Sequence, residues 1–230
     1  MISRKRLRRL ATAGALIGIA AGTAHADPLR LYGVNLLFDV YRNGVSVGSH
    51  AVSFDELPTG YRVESDFSIS VKFWTLEVYR FRYRSEELWR QNKLNRIVAS
   101  VDDNGDRFRF EAIREGDSMH IDLPEERATV PAPIYPTTHW NSAVLIENRV
   151  LNTLTGRLNA VEIIRIADEQ VTTEMGDVPA TRYAYTGELK TEVWYDTEGR
   201  WVKMRFEGTD GSTIEYVCRR CQGASARSAT

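Results

Sequence analysis

Residues able to do chemistry fall at scattered points of this sequence. Gly44-Val45-Ser46-Val47-Gly48 matches the G-x-S-x-G string of serine hydrolases, where a strained strand-to-helix elbow exposes the nucleophilic serine. Here Asn43-Gly44, a tight-hairpin pair, precedes the string and alternating strand residues follow it. Ser46 therefore reads as an ordinary strand residue and Gly48 as a bulge or close backbone approach. Beyond residue 26 the histidines are His50, His120 and His139, at none of the short spacings of zinc motifs, so neither metal nor cofactor is expected. His50 and His120 lie in strand-like runs and read as partly exposed or hydrogen-bonded sheet residues. His139, followed by Trp140 and Asn141 where a helix is expected to begin, is the residue an enzyme would use, with an acid or serine partner. The competing reading makes it a helix-entry residue packed by Trp140.

Cys218-Arg219-Arg220-Cys221 has the C-x-x-C spacing of thioredoxin-type redox pairs. Those pairs open a helix that lowers the attacking thiol's pKa. This one ends a strand, so a small structural disulfide is expected in an oxidising compartment. Arg80, Arg82 and Arg84 share one strand face, opposite Tyr79, Phe81 and Tyr83. Such a basic stripe backed by aromatics can contact a phosphate or acidic head group. Alternatively, Glu64 and Asp66 on the neighbouring strand balance it in cross-strand pairs.

The elements that must position these groups announce themselves by period-two alternation. Tyr61, Val63, Phe67, Ile69, Val71 and Phe73 alternate with polar residues, and Tyr32, Val34, Leu36, Phe38 and Val40 form another apolar face. Turn signals at Asn43-Gly44, Pro58-Thr59-Gly60, Asn104-Gly105, Gly116-Asp117, Gly176-Asp177, Glu198-Gly199 and Asp210-Gly211 cut the chain into short runs. Further strands are expected over 158–166, 182–185, 191–195, 201–206 and 213–217. The pattern breaks between Pro124 and Pro136, which hold four of the seven prolines and mark an extended connection. Thr138 can then cap a helix over 139–152, closed by Gly156. The fold class expected is mainly β: a curved antiparallel meander forming a partly or wholly closed barrel, with that one short helix covering its concave side. A two-sheet sandwich and an outer-membrane barrel are the alternatives, the latter opposed by the polar tail after Cys218.

The 230 residues carry 30 Lys plus Arg and 31 Asp plus Glu, with 43% hydrophobic residues, which excludes a disordered chain and a nucleic-acid binder by bulk charge. That balance hides an asymmetry. The first 26 residues contain five bases and no acid, leaving a formal charge of −6 on the remainder. They read as a secretory signal: a basic start, an apolar run from Leu10 to Gly22, and Ala24-His25-Ala26 before Asp27. Arg8-Arg9 raises the twin-arginine route as an alternative to general secretion. The organisation expected is a cleaved signal over 1–26, one β-rich domain over 27–217 and a polar tail over 218–230, with a periplasmic or secreted product and no membrane span after cleavage.

Val193-Trp194-Tyr195-Asp196, Gly199-Arg200-Trp201-Val202-Lys203, Phe206 and Asp210-Gly211-Ser212, together with Tyr41-Arg42-Asn43-Gly44, Gly48, His139-Trp140 and Leu154-Thr155-Gly156, resemble a family of exported bacterial proteins known as domain of unknown function 6134. The chain is more distantly similar to domain of unknown function 3108 and to the curved half-barrels of periplasmic lipoprotein carriers. The resemblance implies a fold and a compartment and transfers no catalytic residue. The functional expectation is a non-enzymatic binder of an apolar or amphipathic ligand, or of an envelope partner, with Trp74, Tyr79, Phe81, Tyr83 and Trp140 lining the concave face. An enzyme using His139 and a fully packed interaction module are the competing expectations.

Overall fold

A computed structural model describes residues 27–223, and the proposed signal lies outside them. Asp27 caps α1 (Pro28–Tyr32) by accepting from the Leu29 and Arg30 N–H groups, and Gly33 ends it at φ 69°. Then come β1 (Asn35–Arg42), β2 (Val45–Leu57), β3 (Gly60–Phe73), β4 (Leu76–Arg90), β5 (Lys93–Asp103), β6 (Asp106–Glu115), β7 (Ser118–Asp122) and β8 (Arg127–Pro131). After a crossing segment the chain continues through β9 (Tyr135–Pro136), a 3₁₀ turn (Ser142–Ile146), β10 (Arg149–Leu151), β11 (Leu158–Thr173), β12 (Gly176–Gly187), β13 (Thr191–Asp196), β14 (Trp201–Glu207) and β15 (Thr213–Arg220).

These strands make one 15-stranded sheet in which β1 pairs with β15, so the two ends of the meander meet in its middle. Its outer edges are β8 and β9, which do not pair with each other, and the sheet is not closed. Neighbours are antiparallel except β9 and β10. Strong curvature follows from the core. Strands three places apart on a flat sheet lie roughly 14 Å from one another. Phe67 on β3 nevertheless stacks on Tyr216 on β15 with ring centroids 5.5 Å apart. Alternate residues such as Leu36, Phe38, Val40, Val52 and Phe54 are buried on the concave side. The convex side carries ion pairs including Arg84–Asp66, Lys203–Glu215 and Arg205–Glu192. A charged outer face on an unclosed sheet is the reverse of a lipid-facing barrel.

The expected helix over 139–152 is much shorter in the structure. Asn141, not Thr138, caps a single 3₁₀ turn, and β10 already occupies Arg149–Leu151. The reason lies in the partners available. His139 sits at φ 58°, a left-handed conformation that stops a helix starting there, and the segment instead bonds to its surroundings. Tyr195 Oη donates to the His139 carbonyl at 2.8 Å and Tyr32 Oη to the Trp140 carbonyl at 2.8 Å. This segment plugs one end of the curved sheet. Trp140 packs edge-on against Phe54 and Trp89, at 5.7 and 5.1 Å between centroids.

Candidate functional site

Above the plug the concave side encloses a cavity of about 820 Å³, within the roughly 300–1,000 Å³ of small-molecule sites. Its mouth lies among hairpin ends: Arg42 before the β1–β2 turn, Asp103 before β5–β6, Lys190 between β12 and β13, and Gly208 to Ser212 between β14 and β15. Its walls are apolar side chains from β3, β4, β14 and β15, among them Phe67, Ile69, Phe81, Met204, Phe206 and Ile214. Strand alternation puts them there, because each faces inward between two outward polar residues. At the inner end stand His50, Tyr83, His139, Thr153 and Trp201.

The inner end is polar and buried. His50 is 6% exposed and, among the described residues, neither ring nitrogen has a hydrogen-bond partner. Its ring instead meets Phe67, Trp201 and Tyr216 at 5.6, 5.6 and 5.5 Å. Burial, assisted by nearby His139, lowers its pKa to about 3. His139 is 3% exposed, its Nδ1 is unpartnered, and burial lowers its pKa to about 4. The Tyr83 hydroxyl is also buried, beside Ser85 and Thr153, and burial raises its pKa. Both imidazoles are therefore neutral at physiological pH. Among the described residues nothing bonds to His139 Nδ1, so His139 lacks the orienting partner of a triad-type base.

Behind this end, Glu87 on β4 is fully buried and its Oε2 accepts from Trp89 Nε1 at 2.7 Å and Trp140 Nε1 at 3.2 Å. Desolvation raises its carboxyl to about 6, against the lowering effect of those indole donors. At the mouth the sign changes. Asp210 accepts from Ser212 and Arg42, which hold its carboxyl below the usual range. Tyr79 is pushed up to about 12, by burial and then by Asp103.

Of the lining residues expected from sequence, Tyr79, Phe81 and Tyr83 border the cavity. Trp74 does not. It occupies the β3–β4 turn at φ 58° and is 89% exposed. Trp140 is buried in the plug rather than exposed to the cavity, because its N–H seeks Glu87. Arg80, Arg82 and Arg84 lie on the opposite face of β4. Arg84 Nε pairs with Asp66 Oδ2 at 2.8 Å and Arg80 reaches Asp102 at 4.0 Å, while Arg82 is exposed. His50 corrects the sequence reading of a partly exposed or hydrogen-bonded residue: an inward β2 position buries it among aromatics. His120 is a surface residue bonded to Thr129 at 3.0 Å. Ser46 is exposed on β2, and Gly48 is a close approach, since a Cβ there would fall 1.8 Å from the Ser68 carbonyl oxygen. Cys218 and Cys221 are joined in a disulfide at the end of β15. The Glu174 carboxylate accepts from the Cys221 and Gln222 N–H groups at 2.9 and 3.0 Å.

Among the lining residues that sequence reasoning missed are Trp201, Met204 and Phe206 on β14 and Ile214 and Tyr216 on β15. Alternation over 213–217 carried a signal for it; what hid the site was that β15 lies beside β1 and curves towards β3.

The architecture is similar to a crystal structure described as a beta-barrel-like protein of domain of unknown function DUF1849 from Brucella abortus, with a TM-score of 0.58 and 12% identity over 82% of this chain and 96% of that one. At that identity the likeness is one of fold. No curated protein matches the sequence. Over residues 38–219, from β1 through β15, the sequence matches the model of Domain of unknown function (DUF6134), and the chain belongs to that family.

Proposed function

We propose that this protein binds an apolar or amphipathic small molecule, of lipid-like chemistry, in the concave cavity and performs no catalysis on it. The supporting observation is the cavity itself: about 820 Å³, walled by apolar side chains and ending on buried polar groups that have no protein partner. A fold selected for packing alone would fill such a space, because voids forfeit contacts and cost stability. The leader expected over 1–26 supports this role, because in the periplasm or outside the cell a lipid-like molecule needs shelter from water.

The test uses the purified protein and the neutral dye N-phenyl-1-naphthylamine, whose emission rises in apolar surroundings. Saturable binding, displaced by long-chain alcohols, is the expected result. Native mass spectrometry of protein isolated from its own cells should show an added mass that organic solvent removes. Failure of the dye to bind, with nothing co-purifying, overturns the reading in favour of an interaction module.

A further inference from the structure

We infer that the inner end of the cavity seats an uncharged hydrogen-bonding head group, an alcohol or carbonyl, between His50 and His139, with the ligand's apolar body extending towards the mouth. This rests on the ligand-binding role proposed above and adds the head-group chemistry and the orientation.

Two buried histidines that line the same cavity, with His50 Nδ1 and Nε2 and His139 Nδ1 unpartnered among the described residues, are costly as packing residues, since each leaves a donor or acceptor without a partner in an apolar setting. Phe67, Trp201 and Tyr216 around His50 show that the site accepts large apolar rings, so shape alone does not require imidazole. A neutral imidazole offers one donor and one acceptor, which matches a hydroxyl or, through the donor, a carbonyl. The Tyr83 hydroxyl, buried at the same end beside Ser85 and Thr153, adds a polar neighbour to that end.

Charge decides against ionised heads. The lining cations Arg42 and Lys190 are at the mouth, far along the strands from His50 and His139, and Arg42 is already paired with Asp210. An anion at the inner end would meet neutral histidines with the Glu87 carboxylate behind them. A cation would find Glu87 engaged by two indoles and absent from the cavity wall.

The experiment compares ligands of equal chain length, decane, 1-decanol, decanoate and decylamine, as competitors of N-phenyl-1-naphthylamine. His50→Leu and His139→Leu are expected to weaken 1-decanol about tenfold and decane less than twofold, the ratio expected when a ligand hydroxyl loses its partner. His50→Gln, which keeps a donor and an acceptor, should restore most of the alcohol affinity. In the unaltered protein, imidazole ¹⁵N signals of both histidines should shift with 1-decanol and stay in place with decane, a readout that needs no variant. If decane and 1-decanol both bind but the histidine signals ignore the hydroxyl, or if decanoate or decylamine binds more tightly than the alcohol, this inference fails and the cavity's binding role stands. If none displaces the dye because the dye itself does not bind, the binding role fails.

Discussion

The Tyr32 hydroxyl donates to the Trp140 carbonyl at 2.8 Å and accepts from the Trp201 N–H at 2.9 Å. One phenol on the N-terminal turn thus ties the plug to the start of β14 and closes the end of the cavity where His139 and Trp201 stand. Tyr32→Phe would leave a buried carbonyl and a buried N–H without partners. The expected loss is about 2 kcal/mol in urea unfolding. A loss below about 0.5 kcal/mol would show that the plug is held by packing alone.

Gly48 is where the serine-hydrolase string meets its structural explanation. A methyl group there would collide with the Ser68 carbonyl oxygen at 1.8 Å, so β2 and β3 cannot keep their present spacing in Gly48→Ala. Destabilisation by about 3 kcal/mol or more is expected, whereas Ser46→Ala on the exposed side should stay within about 0.5 kcal/mol and leave dye binding intact. A nucleophilic Ser46 would give the reverse ranking in an assay against simple esters.

Stability should fall on acidification, and the direction follows from opposing groups. His50 and His139 have folded pKa values of about 3 and about 4, below the ordinary 6.5. Their contribution is present above pH 6.5 and is lost as pH falls, because the unfolded imidazoles take up protons that the folded ones refuse. By pH 4 this is on the order of 3 kcal/mol for each. Glu87 acts oppositely: its folded value of about 6 exceeds the ordinary 4.5. Its contribution is fully present below pH 4.5 and is lost as pH rises through 6, an effect of about 2 kcal/mol. The histidines outweigh it. Urea midpoints measured from pH 7.5 to 4 should therefore decline, more steeply in Glu87→Gln and less steeply in His50→Leu or His139→Leu. An unchanged slope in the histidine variants would place those rings in contact with water.

The strands were legible because alternation and Gly-containing turns are local signals. Asn43-Gly44, Asn104-Gly105 and Asp210-Gly211 all fall at turns between paired strands. Turns without glycine were not legible: Trp74 and Gln91 take positive φ angles that their residue types do not advertise. Trp74 consequently looked like a wall residue when it is a turn tip. The site was half legible for a related reason. Tyr79, Phe81 and Tyr83 declare an inward face, but which face of which distant strand lies opposite depends on β1 pairing with β15 and on the sheet's curvature, and no local pattern encodes either. The helix expected over 139–152 failed because long-range donors, the Tyr32 and Tyr195 hydroxyls bonding to its first carbonyls, override a capping signal.

Met204 offers a test of the empty space that does not touch the polar end. It lines the cavity from β14 and pairs in register with Tyr216, between the outward-facing Lys203 and Arg205. Adding bulk to a filled core costs roughly 1–3 kcal/mol in strain. Into a real cavity the same bulk gains contacts instead. Met204→Trp should therefore change stability by less than about 1 kcal/mol while N-phenyl-1-naphthylamine affinity drops at least tenfold. Retained dye affinity would place the ligand elsewhere. A large destabilisation would mean that the side chains of β3 and β14 already meet across the interior, and that the concave face is a packed core rather than a container.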